Sequence, residues 1–456
     1  MRAQTLPLTG SSTAIRSLSR FFLAATVISL PFRYRFILLE RPFPPIYSDY
    51  TDVLLFISDV FLLATLASGA LARALERRRL HLGPWFLTAP VAGLTAIAVL
   101  SSLSSVDALL SAYHSVRLII LAGFYLYILN EIKSLDFLTL PVLTQTFIQA
   151  AVGIVQVLRQ HSLGLAFLGE LELDPAWQGV SIVWAEGIRS LRAYGLSDHP
   201  NILGGCFAFS LILIAGWYIQ TKSAWRLLTT SVFSLGALGL LYTYSRSAWL
   251  ALAAGSLYLL LMLFITRQSS PARSWFNLTL ASGILLLPFI WQSLPYIGVR
   301  LNYQDSFTEV PQENQSIGER QLLNNLANHT FAEHPLTGVG LAALPLALHE
   351  RYPALPVNYQ PAHNTLLDAA AETGIFGALF YAAAMLTPWM ALWLNRDRLV
   401  FSPELIVATA LLLAVTVVGF FDYYTWLLAP GRLWQWLSWG LWAAVYRNSL
   451  REASHA

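Results

Sequence analysis

Twelve apolar runs of roughly 17 to 30 residues, separated by polar connections, constrain this chain more than any other feature of it. About 20 apolar residues cross a bilayer's hydrocarbon core as a helix, and backbone in lipid must satisfy its hydrogen bonds within its own segment. The runs read as 15–32, 53–72, 85–103, 109–129, 136–158, 200–220, 228–244, 247–266, 276–294, 365–394, 403–428 and 432–448. The expected fold is therefore all-α. It is a polytopic integral membrane protein of about 12 transmembrane helices, with residues 1–456 forming one transmembrane helical domain and a large ordered outer loop.

Composition narrows the function classes. Charged residues make up 12% and hydrophobic ones 56% of the chain, whereas a soluble domain carries about 25% charge, so an ordinary cytosolic enzyme is excluded. The 28 basic and 25 acidic residues leave a formal charge of +3, and the basic ones are scattered. No nucleic acid is expected as a partner. Cys206 is the single cysteine, which rules out an intramolecular disulfide and a thiolate metal cluster. The run Phe21 to Leu30 lacks a small-residue cleavage site and reads as a first span instead of a leader.

Lys and Arg in short loops stay on the cytoplasmic side. Arg2, Arg16 and Arg20 precede the first span, and Arg73, Arg77, Arg78 and Arg79 follow the second. Lys222, Arg226, Arg267, Arg273, Arg396, Arg398, Arg447 and Arg451 flank later spans. With twelve spans all fall on one side, so both termini are expected in the cytoplasm. Two outward loops are long. Residues 160–200 could hold an amphipathic segment at the interface, with Glu170, Glu172 and Asp174 read as solvated. Residues 295–363 carry Ser316 and Glu319 as a capping box, with Leu322, Leu323, Leu326 and Phe331 at helical spacing and His334-Pro335 ending the run. That pattern predicts a short amphipathic helix inserted between spans.

An ionisable residue near a span end needs a partner or a task. Arg246 stands in the tight turn Tyr244-Ser245-Arg246-Ser247; it could bind phosphate or snorkel among lipid headgroups. Arg117 suits helix pairing. Arg320 on the capped helix could be solvated or functional. His363, in Pro361-Ala362-His363-Asn364 before an apolar helix, could exchange a proton near neutrality, or Asn364 beside it could simply cap the helix. Two arginines and a histidine on one face would suit a diphosphate and a base. No D-x-D, H-E-x-x-H, Walker or G-x-S-x-G pattern is present, so a metal-bridged nucleotide-sugar enzyme, a metalloprotease, an ATPase and a serine esterase lose their usual signatures.

Several motifs agree on one family. Arg320, Phe331 to Gly340 (FAEHPLTGVG), His363 to Leu367 (HNTLL) and Ala371 to Gly377 (AETGIFG) resemble the O-antigen ligase and O-antigen polymerase superfamily, as do Arg192-Ala193-Tyr194-Gly195, His199-Pro200-Asn201, Ser245 to Trp249 and Asp422-Tyr423-Tyr424. The resemblance covers about residues 190 to 445. It implies a multi-pass protein of the bacterial inner membrane with its active site facing the periplasm. Such a protein is an inverting glycosyltransferase that uses no metal and no cofactor. The implied donor is an undecaprenyl-diphosphate-linked glycan, the acceptor lipid A core or a second lipid-linked glycan, and membrane lipids are the surroundings. Carried over, Arg246 and Arg320 hold the diphosphate, His363 is the catalytic base, and Arg192 is a weaker candidate for the phosphate site. Ligation onto lipid A core is preferred, with polymerisation as the alternative and a third relative of the family acting on protein hydroxyls. From another class, a transporter or flippase would place charges near the bilayer midplane, whereas here they collect towards the outer edge.

Overall fold

In the computed structural model each of the twelve apolar runs falls on a helix, and the connections add two more. The structure describes residues 9–221, 225–301 and 311–453. Arg2 and Lys222 lie outside these, as do the side chains of 9–11, 311–316 and 451–453, Arg451 included. The helices are α1 (Thr9–Ser29), α2 (Ile57–Leu75), α3 (Trp85–Ser101), α4 (Ala108–Glu131), α5 (Asp136–Arg159), α6 (Pro200–Gln220), α7 (Trp225–Thr243), α8 (Arg246–Ile265), α9 (Ser269–Arg300), α10 (Pro311–Glu333), α11 (Leu344–Arg351), α12 (Thr365–Leu394), α13 (Pro403–Phe421) and α14 (Ala429–Ala453). Among the described residues eight of these, α2, α4, α5, α6, α8, α9, α12 and α13, are long and apolar enough to cross a membrane. This is the architecture of a polytopic membrane protein.

The mostly helical expectation holds, but the fold is not purely α. Two antiparallel hairpins sit among the connections: β1 (Arg35–Leu39) with β2 (Val53–Phe56), and β3 (Ile182–Ala185) with β4 (Ile188–Leu191). The second occupies the stretch expected to hold an amphipathic segment. Glu186 and Gly187 adopt φ of 52° and 80°, the left-handed pair that a two-residue hairpin turn requires. The same stretch corrects the reading of Glu170 as solvated. Its carboxylate is buried and accepts hydrogen bonds from Leu163 N (2.7 Å), Leu165 N (2.6 Å) and Gln156 Nε2 (2.8 Å). Glu172 is exposed as expected.

Two helix boundaries also differ. The run 403–428 stops as a helix at Phe421, because Asp422 turns to extended backbone with φ −156° and ψ 156°. Helix α10 begins at Pro311, so Ser316 lies inside it and the capping box does not mark its start.

Central α6 is almost wholly buried, packed by α5, α7, α8 and α13. Arg117 does join helices, its guanidinium 2.9 Å from Asp59 of α2. Arg16, Arg73 and Arg78 pair with Glu76 and Glu131 at one end of the bundle. At the opposite end the starts of α6, α8 and α12 meet the ends of α7, α9 and α13, together with both hairpins and α10.

Helix α12 breaks at Gly374, whose φ is 69°. The break leaves carbonyls without helical partners, and the turn 335–340 takes them up: Val339 N donates to Ala371 O and Gly340 N to Glu372 O, both at 2.9 Å. Ile375 N donates back to Pro335 O at 2.8 Å. The HPLTGVG and AETGIFG segments are thus two halves of one backbone lock, which fixes α10 against α12.

Candidate active site

His363 is positioned from two directions. Its backbone N donates to Asn324 Oδ1 of α10 at 2.8 Å, and Asn364 beside it caps α12 by accepting from Leu366 N and Leu367 N at 3.1 Å. The capping reading is therefore correct for Asn364, and it leaves the imidazole of His363 directed elsewhere. Its Nδ1 lies 3.6 Å from Asp422 Oδ1, beyond direct hydrogen-bond length but within reach of a charge. Tyr423 meets the imidazole edge-on at 5.1 Å between centroids.

Asp422 is 3% exposed and gathers the centre. It accepts from Asn201 Nδ2 at 3.2 Å and from Tyr423 N at 3.0 Å, and Arg320 Nη2 stands 4.0 Å from its other oxygen. Burial alone would push this carboxyl up. The partners His363, Arg320 and His199 overcome that and hold it down, at about 2, so it is anionic. His199, at the start of α6, is pushed the other way, to about 3, by burial and by Arg192. It is a neutral scaffold: its Nδ1 accepts from Asn201 N at 3.1 Å, and Ser181 Oγ lies 2.9 Å from Nε2.

Four arginines surround the pair. Arg320 Nη1 donates to Phe421 O at 3.1 Å. Arg246 Nη1 reaches Arg300 O at 3.4 Å, and Arg300 Nε donates to Tyr244 O at 2.9 Å. Arg192 is buried, with Nε donating to Thr243 O (2.7 Å) and Nη2 to Asn201 Oδ1 (2.6 Å).

Two cavities meet here. One, of about 540 Å³, is lined by Arg246, Arg320 and His363 together with Leu250, Ile317, Phe420 and Phe421. The other, of about 560 Å³, is the more polar of the two and is lined in part by Arg192, Arg300, Arg320, His363 and Asp422. Arg320 and His363 belong to both and stand at the junction. All four residues singled out from the sequence thus converge, with Arg192 in the second cavity only. Such a centre can bind an anionic group by guanidinium forks and move a proton through an imidazole backed by a carboxylate.

Sequence reasoning missed Arg300 and the role of Asp422. Arg300 falls within the long loop 295–363 and was not singled out, and Asp422 was quoted only as part of a motif within a supposed span. Asp368, Glu372 and Arg432 are buried as well but line neither cavity; Trp426 links two of them, its Nε1 donating to Glu372 and its carbonyl accepting from Arg432.

No curated protein matches the chain. Residues 230–382, from within α7 to within α12, match the family model described as O-antigen ligase. That span contains Arg246, Arg320 and His363, and over it the chain's likeness to the O-antigen ligase superfamily holds.

Proposed function

We propose that the protein is an inverting glycosyltransferase that moves a saccharide from undecaprenyl diphosphate onto an acceptor hydroxyl, as an O-antigen ligase using lipid A core. The carrying observation is that Arg246, Arg320 and His363 line one cavity. Its chemistry is amphiphilic: two guanidinium groups beside Phe420 and Phe421, which are about half exposed at 47% and 48%. A diphosphate head with its polyprenyl tail has that same division.

In this reading the acceptor oxygen attacks the anomeric carbon from the polar cavity while the bond from that carbon to phosphate oxygen breaks. The diphosphate leaves with the electron pair, and the arginines neutralise it as charge develops. The acceptor proton passes to His363, and Asp422 stabilises the imidazolium that forms. Guanidinium groups supply the cationic charge, so transfer should survive EDTA. The site end is assigned to the periplasm and the Arg16, Arg73 and Arg78 end to the cytoplasm of a bacterial inner membrane, in keeping with the positive-inside rule.

Reconstitution with undecaprenyl-diphosphate saccharide tests this. Lipid A core and a second lipid-linked chain are offered in parallel. Extension of lipid A core is the expected result, extension of the lipid-linked chain would make it a polymerase, and no transfer to either would end the reading.

A further inference from the structure

On the side of the polar cavity away from Arg246, a mouth of about 560 Å³ opens between the β1–β2 connection and the segment preceding α12. Tyr47, Tyr50, Asn358 and Gln360 line both this mouth and the polar cavity, so the two adjoin. Among the described residues it shares none with the cavity of Arg246. A row of rings leads into it from the candidate base. His363 to Tyr423 is 5.1 Å between centroids, Tyr423 to Tyr50 6.2 Å, and Tyr50 to Tyr47 6.0 Å. The Tyr50 and Tyr423 hydroxyls, 2.5 Å apart, fix the middle of the row.

The lining has a definite chemistry. Phe43 and Tyr47 keep their rings partly open, at 39% and 53% exposure, while Asn358, Gln360 and Ser48 offer neutral donors and acceptors. None of the described lining residues is charged. The cation beside the mouth, Arg41, stands 5.5 Å over the Phe43 ring and is already paired with Asp107, so an anionic lipid head would find no free cation in the lining. A neutral sugar ring fits: its C–H face packs on the electron-rich face of an aromatic ring, and its hydroxyls match amides and a hydroxyl.

We propose that this mouth is a saccharide subsite, which holds the outer sugars of the acceptor glycan and delivers its hydroxyl along the aromatic row to His363. The word acceptor rests on the transfer reading above; the affinity for sugar does not.

Saturation-transfer NMR on the full chain in detergent, with lipid-free lipopolysaccharide core oligosaccharide as probe, tests the subsite without donor. The wild type and Tyr47→Phe, which keeps the ring, should both show saturation of the sugar protons. Tyr47→Ala and Phe43→Ala, both at open positions, should weaken binding about tenfold, and Arg246→Ala should leave it unchanged. No saturation in the wild type, or equal binding in Tyr47→Ala, overturns the subsite. So does equal loss in Arg246→Ala. In the transfer assay Tyr47→Ala should raise the acceptor KM with kcat held; a fall in kcat alone would count against it. Sugar binding that depends on Tyr47 without any transfer would remove the enzymatic reading and keep the subsite.

Discussion

His363 Nδ1 faces Asp422 Oδ1 at 3.6 Å, one residue standing before α12 and the other after α13. The carboxylate is buried and anionic, and it lies between the imidazole and the Arg320 guanidinium. A cation forming on His363 would therefore be met by a fixed negative charge, which is what a base needs at the moment it takes a proton.

Asp422→Asn keeps the shape and removes that charge. Its expected effect is a fall in kcat of about 10²-fold or more, with donor affinity within a few-fold of wild type. Steady-state transfer kinetics, with thermal unfolding as a check on folding, decide it; an unchanged kcat would remove Asp422 from the proton path.

Arg246→Lys retains a positive charge but not the planar fork. Because Arg246 lines the amphiphilic cavity with Arg320, transfer should drop by at least about tenfold. Full activity in this variant would argue that Arg246 only touches lipid headgroups.

Glu170 organises the connection between α5 and β3 through three accepted hydrogen bonds. In Glu170→Gln one carboxylate oxygen becomes an amide donor that faces a backbone N–H, of Leu163 or of Leu165. The variant should lose about 1–3 kcal/mol, read as a lower midpoint in thermal unfolding. A midpoint equal to wild type would return Glu170 to the solvated role first read for it.

Asp49 gives a pH dependence of stability. Its burial and the nearby charge of Asp198 push its carboxyl up to about 6, against the pull of Arg35. A carboxyl raised on folding binds its proton more tightly in the folded state. The stability it contributes is complete below its ordinary value of about 3.9 and is lost as pH rises through about 6. Between those values the wild type should lose stability relative to Asp49→Asn, measured as melting temperature across the range. Parallel melting curves for the two would contradict this.

The sequence by itself determined the helices, because hydrophobic run length is a local property that lipid enforces segment by segment. It also determined that Arg246, Arg320 and His363 could act, since a charge beside an apolar run requires a partner or a purpose. Only the tertiary structure decided which groups stand around them. Asp422 looked like the interior of a span until the chain turned extended there, and Arg300, within the long loop by sequence, stands at the end of α9 against Tyr244. Glu170 looked solvated until its own connection folded around it. The meeting of Asp422 and Arg300 with groups distant in the chain at one end of the bundle is set by packing, which no run of neighbouring residues encodes.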